Sequence, residues 1–198
     1  MECNYQLLHT RNFGSVFTCD AKLQSSRFSR QIEKVSTRYL QNEVDLADVR
    51  YLQILHQPID FVPRRVEFFF TNLVGLRISN GKIKQITKRD LQPFHKLELL
   101  SLDGNKIEVL DSDLFDYTPN LKWIFFDNNN IAHVGQGIFD SLVYMKQINL
   151  ELNYCISRDV WGRREIENLK YELTRKCPLV RSRFTSRNFQ NWNRNYRG

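Results

Sequence analysis

From residue 49 to about residue 155 the chain repeats itself every 24 residues without a gap. Leu73, Leu76, Ile78, Ile83 and Ile86 set an apolar spacing that returns as Leu97, Leu100, Leu102, Ile107 and Leu110. It returns again as Leu121, Ile124, Phe126, Ile131 and Val134. Val49, Leu52, Ile54, Ile59 and Val62 fit the template upstream, and Met145, Ile148, Leu150 and Cys155 fit its first half downstream. A unit this short cannot bury its own apolar face, so the units must stack and share one continuous core. Alternation along a strand places the fourth and sixth positions of each unit inward. The Leu, Ile, Val and Phe residues of the pattern are therefore core and not binding residues.

The ninth position reads Gln57, Gly81, Asn105, Asn129 and Asn153, which completes the leucine-rich repeat pattern LxxLxLxxNxL. An Asn amide both accepts and donates, so stacked Asn105, Asn129 and Asn153 can bridge the bends of neighbouring coils. Gln57 can replace Asn with a longer amide. Gly81 cannot, so the ladder should be interrupted there unless Asn80 stands in. The expected fold is a right-handed α/β-type solenoid, a horseshoe with a concave parallel β-sheet of about five to seven strands. An N-terminal β-hairpin cap and a C-terminal helical cap cover its ends.

The four cysteines flank the array as two pairs. That split reads as one disulfide per cap, Cys3–Cys19 and Cys155–Cys177. Zinc and free thiols are the alternatives, although no histidine clusters near the thiols and no metal site is expected. Tyr5–Leu8 and Ser15–Cys19 suit two short strands around a loop holding Asn12 and Gly14. Ile32, Val35, Tyr39, Leu40, Val44 and Leu46 suggest a further strand or a degenerate repeat within residues 20–48. Ile166, Leu169 and Leu173 recur at helical spacing over residues 163–176, with Lys170, Arg175 and Lys176 near the end and Pro178 beyond. The expected organisation is a cap and degenerate repeat over 1–48, repeats over 49–156, a helical cap over 157–177 and a basic, disordered tail over 178–198.

The chain has 198 residues with 29 Lys+Arg and 22 Asp+Glu, a net charge of +7. Five of those charges are the arginines of residues 178–198 (Arg181, Arg183, Arg187, Arg194 and Arg197), where there is no acid. The body is nearly neutral and carries no strong electrostatic footprint for a polyanion. In the tail, arginines interleave with Phe184, Phe189, Trp192 and Tyr196, a pattern suited to an anionic partner such as single-stranded nucleic acid or a glycan. No apolar run approaches the roughly 18 residues of a membrane span. No GxSxG, HExxH, phosphate-loop or dinucleotide-binding signature is present, so no enzyme activity and no cofactor is expected. His56 and His133 are read as surface residues. The first residues lack a secretory leader, yet disulfides belong to an oxidising compartment. The expectation is a secreted protein whose leader has been removed.

The segments Cys3…Val16-Phe17-Thr18-Cys19, Phe68-Phe69-Phe70-Thr71-Asn72-Leu73 and Leu150-Glu151-Leu152-Asn153-Tyr154-Cys155-Ile156 resemble those of small secreted insect leucine-rich repeat proteins of the dipteran type. The likeness spans about residues 3–177. It implies an extracellular ligand-binding module without catalysis, and it supplies no ligand motif to carry over.

A candidate site follows from the residues that the pattern turns outward on the concave side. The third position reads Tyr51, Gly75, Leu99, Trp123 and Gln147, and the fifth reads Gln53, Arg77, Ser101, Phe125 and Asn149. Large apolar groups there are not needed by the fold and suit interface anchors. Trp123 and Phe125 are expected to anchor an extracellular protein ligand, with Leu99 and Tyr51 extending the patch. The seventh position stacks Asp103, Asp127 and Glu151 about 5 Å apart, which would select a basic group on the partner or repel unless a cation answers them. A structural or matrix assembly role is the alternative function.

Overall fold

Each apolar unit opens with a short strand, and in the computed structural model, which describes residues 1–23, 30–36 and 45–178, these strands line up in the register the repeat dictates. The chain begins with a hairpin, β1 (Glu2–Thr10) and β2 (Gly14–Lys22), paired antiparallel along its whole length. There follow β3 (Tyr51–Leu55), β4 (Gly75–Ser79), the short helix α1 (Lys88–Leu91), β5 (Leu99–Ser101), β6 (Val109–Leu110), β7 (Trp123–Phe125), β8 (His133–Val134), β9 (Gln147–Asn149), β10 (Asp159–Trp161) and the helix α2 (Gly162–Lys176). One sheet runs β1-β2-β3-β4-β5-β7-β9-β10, while β6 and β8 pair separately. The connections from β2 through β9 are parallel, and Tyr51, Gly75, Leu99, Trp123 and Gln147 sit side by side.

The inward column Leu52, Leu76, Leu100, Ile124 and Ile148 is fully buried. Phe115 stacks on Phe139 at 5.8 Å and leans on Phe126 at 6.4 Å, filling the space between the coils. Asn105, Asn129 and Asn153 repeat one hydrogen-bond pattern. Each Oδ1 accepts the backbone N–H of a residue one coil back, and each Nδ2 donates to a carbonyl of that coil. Gln57 extends the ladder into the N-terminal cap, donating to the Ala21 carbonyl and accepting from the Leu23 N–H. At Gly81 the side-chain ladder is absent, and a Cβ there would lie 2.8 Å from the Asn105 Oδ1. Asn80 does not stand in. Its side chain lies against Gly104, whose positive φ leaves the room a Cβ would take.

Both end covers are crosslinked, Cys3 to Cys19 and Cys155 to Cys177. The helix α2 buries Ile166, Leu169 and Leu173, the three residues its spacing singles out. One element was not anticipated. Strand β10 turns back antiparallel on β9 and closes the sheet before α2 starts. Ile32 and Val35 are buried without forming a strand, and Leu46–Asp48 is a single 3-10 turn. Tyr39, Leu40, Val44 and the tail from residue 179, with its arginines and aromatics, lie outside the described residues. Among the described residues no helix is long and apolar enough to cross a membrane.

Candidate functional site

The concave sheet divides into a covered apolar half and an open polar half. The divider is the hairpin. Strand β2 pairs with β3 only at Thr18–Asp20, so the ribbon beyond is free to lean across the sheet. Its turn, Arg11–Phe13, is held by Thr10, whose Oγ accepts the Phe13 N–H at 2.9 Å, and Gly14 follows with φ +69°. A left-handed glycine after such a turn keeps the strands paired. This arrangement delivers Phe13 onto the third-position column. Its ring stands edge-on to Trp123 at 5.3 Å and to Tyr51 at 6.2 Å. Val16, Tyr51, Leu99 and Trp123 form a buried cluster under the hairpin, separate from the main core, with Phe13 and Phe125 packed against it.

The expected exposure of the anchors is thereby corrected. Tyr51, Leu99 and Trp123 are 6%, 3% and 7% exposed, because the chain's own hairpin lies over them. Burial pushes the Tyr51 phenol up to about 12. Gly75 is what makes the cover fit: a Cβ there would stand 2.1 Å from the Tyr51 ring and 3.2 Å from Phe13. Beyond Phe13 the ribbon continues to the far end of the sheet, where the Arg11 guanidinium lies 5.1 Å from the Trp161 ring of β10. None of Arg11, Phe13, Gly75 or Trp161 was singled out from the sequence. The only signal was the Asn12–Gly14 turn, which says that a loop exists and not where it lands.

Phe13→Ala is expected to lower stability by about 1–2 kcal/mol, less than a fully buried Phe truncation. Oxidative footprinting read by mass spectrometry should show Trp123 becoming reactive. Unchanged protection of Trp123 would refute the cover. Gly75→Ala should expose Trp123 in the same assay by displacing Tyr51 and Phe13.

In the open half, Asp103 is answered by a cation. The Arg77 guanidinium reaches its carboxylate at 3.3 Å and donates through Nε to Ser79 at 2.7 Å. Ser79 donates to Asp103 at 2.6 Å, and Ser101 donates to the same oxygen. Burial by itself would push the Asp103 carboxyl up, but the Ser101, Ser79 and Arg77 contacts outweigh it and hold the group below the ordinary carboxylate value. Asp127 goes the other way. Burial first, then the charges of Asp103 and Glu151, push it up. Among the described residues neither Asp127 nor Glu151 makes an ion pair, and Glu151 is exposed. Half-exposed Phe125 and Asn149 border this pair.

These opposite shifts predict opposite pH responses. A depressed carboxylate stabilises the fold above its unfolded value and loses that contribution as the pH falls through its folded value. Asp103→Asn should therefore lower Tm at pH 7, with the difference shrinking under acid. A raised carboxylate burdens the fold above its folded value, so Asp127→Asn should raise Tm at pH 7, and that gain should vanish below about pH 4. Thermal melts of both variants between pH 3 and 7 check the signs.

Among the described residues no group of three or more His, Cys, Asp or Glu could hold a metal ion. His56 is exposed, and the His133 ring nitrogen lies 2.8 Å from the Pro178 carbonyl oxygen.

Residues 96–155 match the family model for the leucine rich repeat. The fold is a β-solenoid of stacked coils, and the matched residues are its last repeats. The repeat chain is 34% identical over 89 residues to podocan from Mus musculus, a stretch covering 43% of this chain and 14% of podocan. It is 24% identical over 91 residues to Toll-like receptor 3 from Boselaphus tragocamelus, covering 45% of this chain and 10% of the receptor. Its fold resembles that of a chain in the Drosophila Toll–Spatzle complex, with a TM-score of 0.52 and 21% identity over 55% of this chain and 14% of that one. The chain thus spans a small part of the length of each of these proteins.

Proposed function

We propose that the chain is a non-enzymatic protein-binding module that works in the extracellular space, and that it takes its partner along the open half of the concave face. Asp127 and Glu151 carry the reading, because they stand beside part-exposed Phe125 and neither makes an ion pair among the described residues, the Arg77 charge reaching Asp127 only weakly. A partner presenting Lys or Arg next to an apolar side chain would complete those charges and cover the ring. Arg77 and Asp103 lock one end of this strip, which keeps the acceptors in place before a partner arrives. Trp123, Leu99 and Tyr51 act from beneath, as the packed floor behind Phe125, rather than as direct contacts.

Two disulfides support an oxidising, extracellular setting. A structural neighbour comes from a complex of Toll with Spatzle, which supports a protein-binding role for a fold of this kind. The test is site-specific photocrosslinking in extracellular fluid with a photoreactive residue at Phe125, and at exposed Lys84 as the control position. One partner should be captured from position 125 and not from position 84, and Asp127→Lys with Glu151→Lys should abolish the capture. Equal capture from both positions, or capture insensitive to the charge reversal, would refute the assignment.

A further inference from the structure

A second charged surface lies at the edge of the sheet, away from the acidic strip and independent of the protein-binding reading. Arg11, Lys146, Arg163 and Arg164 are all exposed, and none makes an ion pair among the described residues. Three contacts gather them. The Arg11 guanidinium lies over Trp161. Trp161 stands opposite Gln147, the residue after Lys146. The Gly162 N–H donates to the Lys146 carbonyl at 2.9 Å, which sets the start of α2, with Arg163 and Arg164, beside that lysine. One strand back, the Lys122 and Lys146 ammonium groups lie 5.9 and 5.0 Å from the Trp123 ring.

The acids nearby are already engaged. Glu98 pairs with Lys122 at 2.8 Å, Glu165 with Arg158 at 3.5 Å and Glu167 with Lys170 at 3.0 Å. Asp159 accepts from the Gln147 amide. Arg11 and Lys146 rest on aromatic rings, but among the described residues none of the four cations has a carboxylate of its own, and two of them sit beside Glu165 in the first turn of a helix, where the dipole favours acids. The fold does not require this, since α2 is held by Ile166, Leu169 and Leu173. An anionic ligand would relieve the arrangement.

We propose that this edge binds a linear sulfated polysaccharide. The cations come from three elements in succession, the hairpin turn, the sheet edge and the helix start, and do not converge on one pocket. That layout fits a chain with charges at intervals rather than a single phosphate. Three of the four are arginines, whose planar fork matches oxyanion groups bidentately. Arg11 already lies over Trp161, so a base stacking on that face would have to displace the guanidinium, whereas a sulfate can bind it where it lies. The two disulfides suit an oxidising compartment, the setting in which sulfated glycans are met.

The test uses the full chain on immobilised heparin, comparing Arg11→Gln/Arg163→Gln/Arg164→Gln with Lys82→Gln/Lys84→Gln/Lys106→Gln. Both triple variants remove three exposed positive charges and keep the basic tail. The first should weaken heparin binding at least about tenfold and elute at lower salt, the second by less than about twofold. Arg163→Gln/Arg164→Gln should also raise Tm, which separates lost binding from lost folding. Equal weakening by both triples would mean that only net charge matters and would overturn the site, as would no weakening by the first. Competition by desulfated heparin as strong as by heparin would remove the sulfate assignment. Stronger competition by an oligothymidine of matched charge would make the surface a nucleic-acid site instead.

Discussion

Asn129→Ala should cost about 2–3 kcal/mol in urea unfolding, a large fraction of the stability of a marginally stable fold. Asn129 is 4% exposed, and its amide serves two coils at once. Its Oδ1 accepts the Ile107 N–H at 3.0 Å, and its Nδ2 donates to the Leu102 carbonyl at 2.9 Å and the Phe126 carbonyl at 3.1 Å. Alanine leaves the Ile107 N–H buried with no replacement, a loss that costs about 1–3 kcal/mol, while the Leu102 carbonyl keeps the Asn105 amide and the Phe126 carbonyl keeps the Asn153 amide. Asn153 makes the same bonds in the last coil but is only half-buried. Water can take over there, so Asn153→Ala should cost about 1–2 kcal/mol. If the two variants melted alike, the ladder would not be what couples the coils.

Removing the Cys155–Cys177 crosslink, as Cys155→Ala/Cys177→Ala, should cost about 3 kcal/mol from chain entropy alone. The two residues are 22 apart in sequence, and the loop they close holds β10 and α2. The consequence is local as well as global. The Cys177 carbonyl accepts the Val134 N–H at 2.8 Å, so the end of α2 is pinned to an inner coil by a bond that depends on where Cys177 sits. Hydrogen exchange over α2 should speed up more than over β4 or β5. Equal protection of α2 with and without the crosslink would show that Ile166, Leu169 and Leu173 hold the cap unaided.

The sequence was most legible where one physical demand recurs. Stacking forces apolar groups into the same positions in every coil, so Leu76, Leu100 and Ile124 could be assigned inward, and the ladder interruption at Gly81 could be anticipated from the absent amide. The C-terminal helix was legible because its apolar spacing and its stop signal coincide. Strand β10 was not, since Asp159-Val160-Trp161 is too short to show a period.

The candidate site divides along the same line. The third-, fifth- and seventh-position columns are a property of the repeat, so Tyr51, Leu99, Trp123, Phe125, Asp103, Asp127 and Glu151 could be placed on one face from spacing alone. Which of them meets solvent depends on Phe13, some forty residues from Tyr51 and more than a hundred from Trp123. No periodicity links a hairpin turn to the column it covers. Arg77 answering Asp103 is a contact between the fifth and seventh columns of neighbouring strands, visible only once their side chains have directions. The amino-acid order by itself determined the coils, their register and their ladder, because those rest on contacts repeated at a constant interval. The tertiary structure alone decided that, among the described residues, the apolar half of the concave face is closed and the acidic half is not, because a single non-repeating segment folds back over the first and stops short of the second.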